Sequence, residues 1–393
     1  MKEVVIVSAL RTPIGSFRGV FSTLSAVDLG VAVVQGLLAR SQLPASEVDE
    51  LIFGQVLTAG CGQNPARQTA LRAGLPVTSA AVTVNLVCGS GLKAVQQAVQ
   101  SIRCGDAQVV IAGGQESMSN APYLVDGARA GLRLGHTSML DSMIQDGLWD
   151  AFNDYHMGMT AENLADQFAI NRQQQDAFAV QSQRKAAAAI EAGRFQAEII
   201  PVSVSQGKKP PQVITGDEQP RPNASAEQLA QLRPAFRHQH GTVTAGNASS
   251  LNDGAAAVLL MSADKARELG LPALARIVSS GVAGVDPAVM GLGPVSACQK
   301  ALERAGWTLD EVDLIEANEA FAVQALAVGE TLGWEGHKVN VNGGAIALGH
   351  PIGASGCRIL VTLVHEMQRR NVRKGLATLC VGGGQGIAMT IER

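Results

Sequence analysis

Four short stretches of the chain bring residues able to do covalent or proton-transfer chemistry together with glycine. In Asn85-Leu86-Val87-Cys88-Gly89-Ser90-Gly91, a strand-like run (Ala81 to Val84) leads into a turn bearing Cys88, and a helical pattern follows. A sulfur near a helix N-terminus meets unpaired N–H groups and a partial positive charge, which favour the thiolate. An ordinary thiol titrates at about 8.5, so such help is the first requirement of a neutral-pH nucleophile. The neighbouring glycines let a substrate carbonyl approach, where the Cys88 N–H can donate to an oxyanion. Taken alone, a cysteine in a turn is more often a buried spectator. The second stretch, Asn342 to Gly356, is glycine-dense and carries His350 just before another helical pattern. Alone it reads equally as a loop histidine capping backbone. The third, Cys380-Val381-Gly382-Gly383-Gly384-Gln385-Gly386, is followed by a strand and not a helix, which argues against a phosphate loop. A thiol at a strand end can serve as an acid or base. The fourth, Glu316-Ala317-Asn318-Glu319-Ala320-Phe321, follows the buried strand Val312 to Ile315. It lies where α/β proteins place ligands, although a capped helix start with solvated acids fits as well.

These stretches have to be positioned by elements, and the chain repeats itself in a way that does so. Val48-Asp49-Glu50-Leu51-Ile52, a helix opened by Ser90-Gly91, and Val109 to Ala112 ending in Gly113-Gly114 form the first copy. Val312 to Ile315, a helix opened by Ser355-Gly356, and Ala377 to Val381 ending in Gly382-Gly383-Gly384 form the second. Leu92, Val95, Val99 and Ile102 give the first helix an apolar stripe, and Leu360, Leu363, Val364 and Met367 give the second one. Gly105 suits a C-terminal cap and Ser355 an N-terminal cap. The order predicts two copies of one α/β unit packed together, which sets Cys88 opposite His350. Residues 119–248 break the pattern with an alanine-rich helix, about Gln173 to Ala192, and a proline-rich stretch predicting loop or short hairpin. The predicted domains are 1–118 with 249–270 as a first half, 119–248 as an insertion, and 271–393 as a second half.

Composition narrows the function classes. The chain has 393 residues, 46% hydrophobic and 17% charged, with 43 glycines and 4% aromatics, which predicts a large α/β core. Net charge is −3 without a basic block, so a nucleic-acid partner is not expected. No membrane span, signal peptide or metal-ligand spacing is readable, and a cytoplasmic location is expected. The scattered cysteines read as reduced thiols, with Cys61, Cys104, Cys298 and Cys357 as small buried hydrophobes. A dinucleotide-binding oxidoreductase is disfavoured because Arg11-Thr12-Pro13, not a glycine fingerprint, follows the first strand.

Taken together, N-L-V-C-G-S-G, N-E-A-F, G-H-P-I-G-A-S-G and C-V-G-G-G-Q-G resemble the thiolase superfamily over essentially the whole chain, especially its short-chain branch. Gly113-Gly114-Gln115-Glu116-Ser117-Met118 and Thr244-Ala245-Gly246-Asn247-Ala248-Ser249 are similar to it as well. The resemblance implies a five-layered αβαβα fold with an inserted loop domain over coenzyme A. It implies reversible condensation of two acetyl-CoA to acetoacetyl-CoA and CoA, and thiolysis of short 3-ketoacyl-CoA, by a ping-pong acyl-cysteine route. No permanently bound cofactor is implied; the coenzyme A thioesters are substrates. Cys88 would take the acyl group, His350 activate it, and Cys380 remove the α-proton of the second acetyl-CoA. His350 and an Asn318-held water would form one oxyanion hole, and the N–H groups of Cys88 and Gly382 the other. Ser249, Ala245 and His156 would contact the pantetheine side, Arg221 the adenine end, and Met157 and Phe321 would narrow the acyl pocket. Ser250 departs from the glycine common in that branch. The family also implies a homo-oligomer, dimer or tetramer, with residues 119–145 suiting either a tetramer contact or a loop packed on its own domain. Three rivals stand beside this. One is a broader-chain 3-ketoacyl-CoA thiolase of fatty-acid breakdown. Another is a carrier-protein condensing enzyme, disfavoured because Cys380 replaces a second histidine. The third is a non-catalytic acyl-CoA binder.

Overall fold

Residues 2–393 are described by the computed structural model. Strands of the first half are β1 (Val4–Arg11), β2 (Glu50–Gly54), β3 (Ala80–Val84), β4 (Val109–Ser117) and β5 (Asn252–Ser262). Those of the second are β6 (Ala275–Gly284), β7 (Leu314–Ala317), β8 (Lys374–Val381) and β9 (Gln385–Glu392). They run in the order β7-β8-β9-β6-β1-β5-β4-β2-β3, with Gly15–Ser16 added on β5. Within the sheet, the strands of the two halves join where Val5 and Ile6 pair with Arg276 and Ala275. Each half contains a parallel pair at the matching place of the repeat: β2 beside β4 in the first, β7 beside β8 in the second.

The helices of eight residues or more are α1 (Ala26–Ser41), α2 (Pro65–Arg72), α3 (Ser90–Cys104), α4 (Gly158–Gln167), α5 (Arg172–Glu191), α6 (Gly293–Ala305), α7 (Ala322–Leu332) and α8 (Ile352–Arg370). Helices α1 and α2 cover the outer face of the first half, and α6 covers that of the second. Between the halves, α3 and α8 pack on each other and on both sets of strands, giving five layers. Their burial differs accordingly: nearly all of α8 is buried, while α1 keeps one wet face.

The repeated Ser-Gly pair has a packing reason. A Cβ on Gly91 would stand 2.8 Å from the Cys357 nitrogen, and one on Gly356 would stand 2.5 Å from the Leu92 nitrogen. The two central helices therefore touch backbone to backbone at their first turns, each through the glycine of its own copy. Both functional turns, at Cys88 and His350, sit just before this crossing.

Some elements differ from expectation. Strand β4 does not stop at Gly113-Gly114 but continues to Ser117, because the pair lets neighbouring backbone come close; a Cβ on Gly114 would meet the Gly353 oxygen. Of the four cysteines expected to be buried, Cys298 and Cys357 are, but Cys61 is half-buried and Cys104, at the end of α3, is exposed. The alanine-rich helix is present as α5, with Asn171 and Gln174 closing a capping box. Pro210 and Pro211 fall in a two-stranded hairpin, Val202–Gln206 with Lys209–Ile214, outside the main sheet. Among the described residues, no helix is long and apolar enough to cross a membrane.

Candidate active site

Cys88 stands on a tight turn between β3 and α3. Val87 has φ +42°, a left-handed conformation that is costly for a β-branched residue, on the order of 1–3 kcal/mol. Three hydrogen bonds hold it. Asn85 Oδ1 accepts the Val87 N–H at 2.9 Å, the Ser90 hydroxyl donates to the Val87 carbonyl at 2.6 Å, and Ser90 Oγ accepts the Leu86 N–H at 2.8 Å. The Cys88 side chain is buried, and the N–H groups of Gly382 and of Cys88 itself point at its sulfur. Burial outweighs them and pushes the thiol up to about 11. The thiolate anticipated from the helix N-terminus is therefore not the resting form, because desolvation costs the anion more than two N–H groups return.

His350 occupies the matching turn of the second half, before α8. Ser355 was expected to cap that helix, but the cap position is Pro351, and Ser355 lies one turn inside. Its hydroxyl donates to the Pro351 carbonyl at 2.9 Å and sits 2.6 Å from His350 Nδ1. With its proton so used, the hydroxyl accepts from Nδ1–H, which leaves the Nε2 lone pair free as a base. Burial, with a smaller effect of the Arg358 charge, pulls the imidazole down to about 3, so it rests neutral. Asn318 Nδ2 lies 3.4 Å from Nε2, and Asn318 Oδ1 is buried without a hydrogen-bond partner.

Cys380, at the end of β8, is fully buried among Met157, Phe321 and Val323. Burial first, and then the nearby charge of Cys88, push its thiol well above the usual range. The Met157 thioether packs against Gly382. Asn318 follows directly on β7, with its N–H bonded to the Thr378 carbonyl on β8 at 3.0 Å. Glu316 and Glu319 are buried, not solvated. Glu319 accepts from Ser182, Asn340 and the Ile346 N–H, which anchors the loop around Asn318.

A cavity of about 620 Å³ opens over Cys88 and His350, large enough for a drug-sized ligand. His156, Met157, Arg221, Ala245, Ser249 and Phe321 line it, while Cys380, Asn318 and Gly382 stand behind the wall. Arg221 is exposed at the mouth. The Ser249 N–H bonds to the Ala320 carbonyl at 2.9 Å, tying that segment to the loop of Asn318. Sequence reasoning missed Phe236, which stacks on His156 at 4.6 Å and meets Phe321 edge-on at 6.4 Å. Its rarity in an aromatic-poor chain was the available signal. Met118, Met143 and Leu148 complete the apolar wall. Among the described residues, no group of His, Cys, Asp and Glu is arranged to hold a metal ion.

The class of protein is thus set by a two-repeat α/β fold with a buried cysteine–histidine centre where the repeats face each other. The thiolase N-terminal domain family matches residues 4–264 and the thiolase C-terminal domain family residues 271–393. An acetyl-CoA acetyltransferase of Pseudomonas aeruginosa is 65% identical, with all of both chains covered. A probable acetyl-CoA acetyltransferase of Escherichia coli (strain K12) is 64% identical over the same extent. The crystal structure of the Bacillus anthracis acetyl-CoA acetyltransferase is 47% identical, with a TM-score of 0.97, covering 100% of this chain and 99% of that one. The chain belongs to the thiolase family.

Proposed function

We propose that this chain is an acyltransferase that condenses two acetyl-CoA into acetoacetyl-CoA and CoA, and runs the reverse thiolysis on short 3-ketoacyl-CoA. The observation that carries the reading is the convergence of Cys88, His350 and Cys380 beside one apolar cavity, with two N–H groups already aimed at the Cys88 sulfur. Full-length relatives named for acetyl-CoA acetyltransfer support it.

In the first half-reaction, Cys88 Sγ attacks the thioester carbonyl and its proton passes to His350 Nε2. The N–H groups of Cys88 and Gly382 receive the oxyanion, and CoA leaves with the proton of Cys380, so that a Cys380 thiolate and a protonated His350 remain for the next step. In the second, Cys380 takes the α-proton of another acetyl-CoA. The carbanion attacks acetyl-Cys88, releasing the 3-ketoacyl product and a Cys88 thiolate that takes back the proton held on His350 Nε2. His350 with an Asn318-held water stabilises the enolate oxygen. Ser249, Ala245 and His156 hold pantetheine, and Arg221 meets the adenine end. Met157 and Phe321 close the acyl end, which favours acetyl over long chains. The protein works in the cytoplasm, as a homo-oligomer, without a permanently bound cofactor.

The test is CoA-dependent cleavage of acetoacetyl-CoA by wild type, Cys88→Ala and Cys380→Ser. The expected result is rapid cleavage by wild type only, with labelled acetyl retained on Cys380→Ser and absent from Cys88→Ala. Comparable thiolysis of a ten-carbon ketoacyl-CoA would instead support the broader-chain reading. Well-folded wild type that binds CoA but cleaves nothing would leave a binding role.

A further inference from the structure

His350 owes its place to groups from the opposite half of the molecule. Asn252, the first residue of β5, is fully buried, and its Oδ1 accepts the His350 backbone N–H at 2.8 Å. The same oxygen accepts the Ser250 hydroxyl at 2.7 Å, while Nδ2 donates to the Gly15 carbonyl at 3.0 Å. The donors and acceptor around it fix the orientation of the amide. Residue 349 has φ +106°, and a Cβ there would lie 2.6–2.7 Å from the Asn252 amide atoms. Glycine is thus required twice, by the backbone and by the amide packed on it. One turn later, the carboxylate of Glu116 on β4 accepts the Gly353 N–H at 2.9 Å, along with those of Val56 and Leu57. These contacts from the opposite half add to those that Ser355 makes to His350 and Pro351 within the turn's own helix.

Asn252 is also joined to the substrate wall. Ser249 and Ser250 line the cavity, and Ser250 reaches Asn252 directly. One amide oxygen therefore bridges the segment that lies against the substrate and the turn that carries the base.

We propose that Asn252 is a positioning residue that couples the Ser249–Ser250 segment to the placement of His350, with the Ser250 hydroxyl as the adjustable link. This rests on the reading of Cys88 and His350 as the reacting pair. Removing the amide leaves the His350 N–H and the Gly15 carbonyl buried without partners, so the turn relaxes and Nε2 drifts from Cys88. Removing only the Ser250 hydroxyl frees the substrate segment while His350 stays bonded.

The experiment compares full-length wild type with Asn252→Ala, Asn252→Asp and Ser250→Ala. It reads kcat and KM for CoA in acetoacetyl-CoA cleavage, the rate of Cys88 alkylation by iodoacetamide without substrate, and Tm. Asn252→Ala is expected to lose about 10–100-fold in kcat and in alkylation rate, with KM changed by less than about threefold. Asn252→Asp keeps the oxygen acceptor and recovers most of the alkylation rate. Ser250→Ala raises KM about three- to tenfold and leaves kcat within about twofold. A lowered Tm with wild-type kcat and alkylation in Asn252→Ala, or no rescue by Asn252→Asp, overturns the proposal. Should Asn252→Ala fail to fold, Ser250→Ala decides: an unchanged KM overturns the coupling and a raised KM supports it. If wild type cleaves no acetoacetyl-CoA, the proposed reaction falls, but the alkylation rates still test whether Asn252 places His350.

Discussion

A buried thiol held up to about 11 beside an imidazole held down to about 3 is a neutral pair, not a thiolate–imidazolium pair. Such a site protects its nucleophile from stray electrophiles and pays for it by needing proton transfer during attack. Alkylation of Cys88 in the free protein should therefore keep rising between pH 6 and 10. A plateau already reached at pH 7 would mean a standing ion pair. His350 also ties stability to pH. The folded imidazole stays neutral down to about 3, whereas the unfolded one takes a proton near 6.5. Between those values the unfolded state binds more protons, so stability falls as pH falls. Urea unfolding at pH 4.5 and 7 should show a smaller pH-linked loss for His350→Asn than for wild type; equal losses would place the effect on other groups.

At the scale of elements, the crossing of α3 and α8 sets the distance between the two halves' functional turns. Gly356→Ala puts a methyl 2.5 Å from the Leu92 nitrogen, backbone that cannot swing aside. The helices must separate, at a cost of about 1–3 kcal/mol. Because Cys88 and His350 hang from the ends that are pushed apart, kcat should fall at least tenfold even where the variant is folded. Thermal melting and acetoacetyl-CoA cleavage measure both effects, and a stability loss with full activity would uncouple the crossing from the site. The two helices were legible in the sequence because the Ser-Gly pair recurs before two apolar helical stripes, but their contact through Gly91 and Gly356 was not, since it joins residues far apart in the chain. The turns of Cys88 and His350 were legible for the same reason, since strand, turn and helix are local patterns. Asn252, Glu116 and Phe236 were not. Asn252 reaches across 98 residues to His350, and Glu116 across 237 to Gly353. Their side chains look like ordinary strand polars until the fold brings the partners in. The direction of the Cys88 shift was also hidden, since a helix N-terminus is readable locally but burial depends on what packs above it.

The whole molecule leaves two separate apolar surfaces exposed. Within 119–145, Tyr123, Leu132, Leu134 and Met139 stand out from the body. At the far end of the sheet, β3 is an unpaired edge, with Val82 and nearby Val77 exposed. An open, apolar edge strand invites pairing, and a second distinct patch allows pairs to join into a dihedral tetramer. The two patches should differ in consequence. The 119–145 segment borders the cavity only near Met143 and Ile144, so Leu134→Asp with Met139→Asp should halve the solution mass and keep thiolysis. Strand β3 runs into Asn85, whose side chain holds the strained Val87 turn before Cys88. Val82→Lys should therefore also lower the solution mass and lose activity more than about tenfold, as a nucleophile shifted by even 1 Å does. Light scattering with acetoacetyl-CoA cleavage on the same samples separates the cases. An unchanged mass for Val82→Lys would remove the edge strand as an interface. Full activity at the lowered mass would show that the Cys88 turn is held by its own protomer alone.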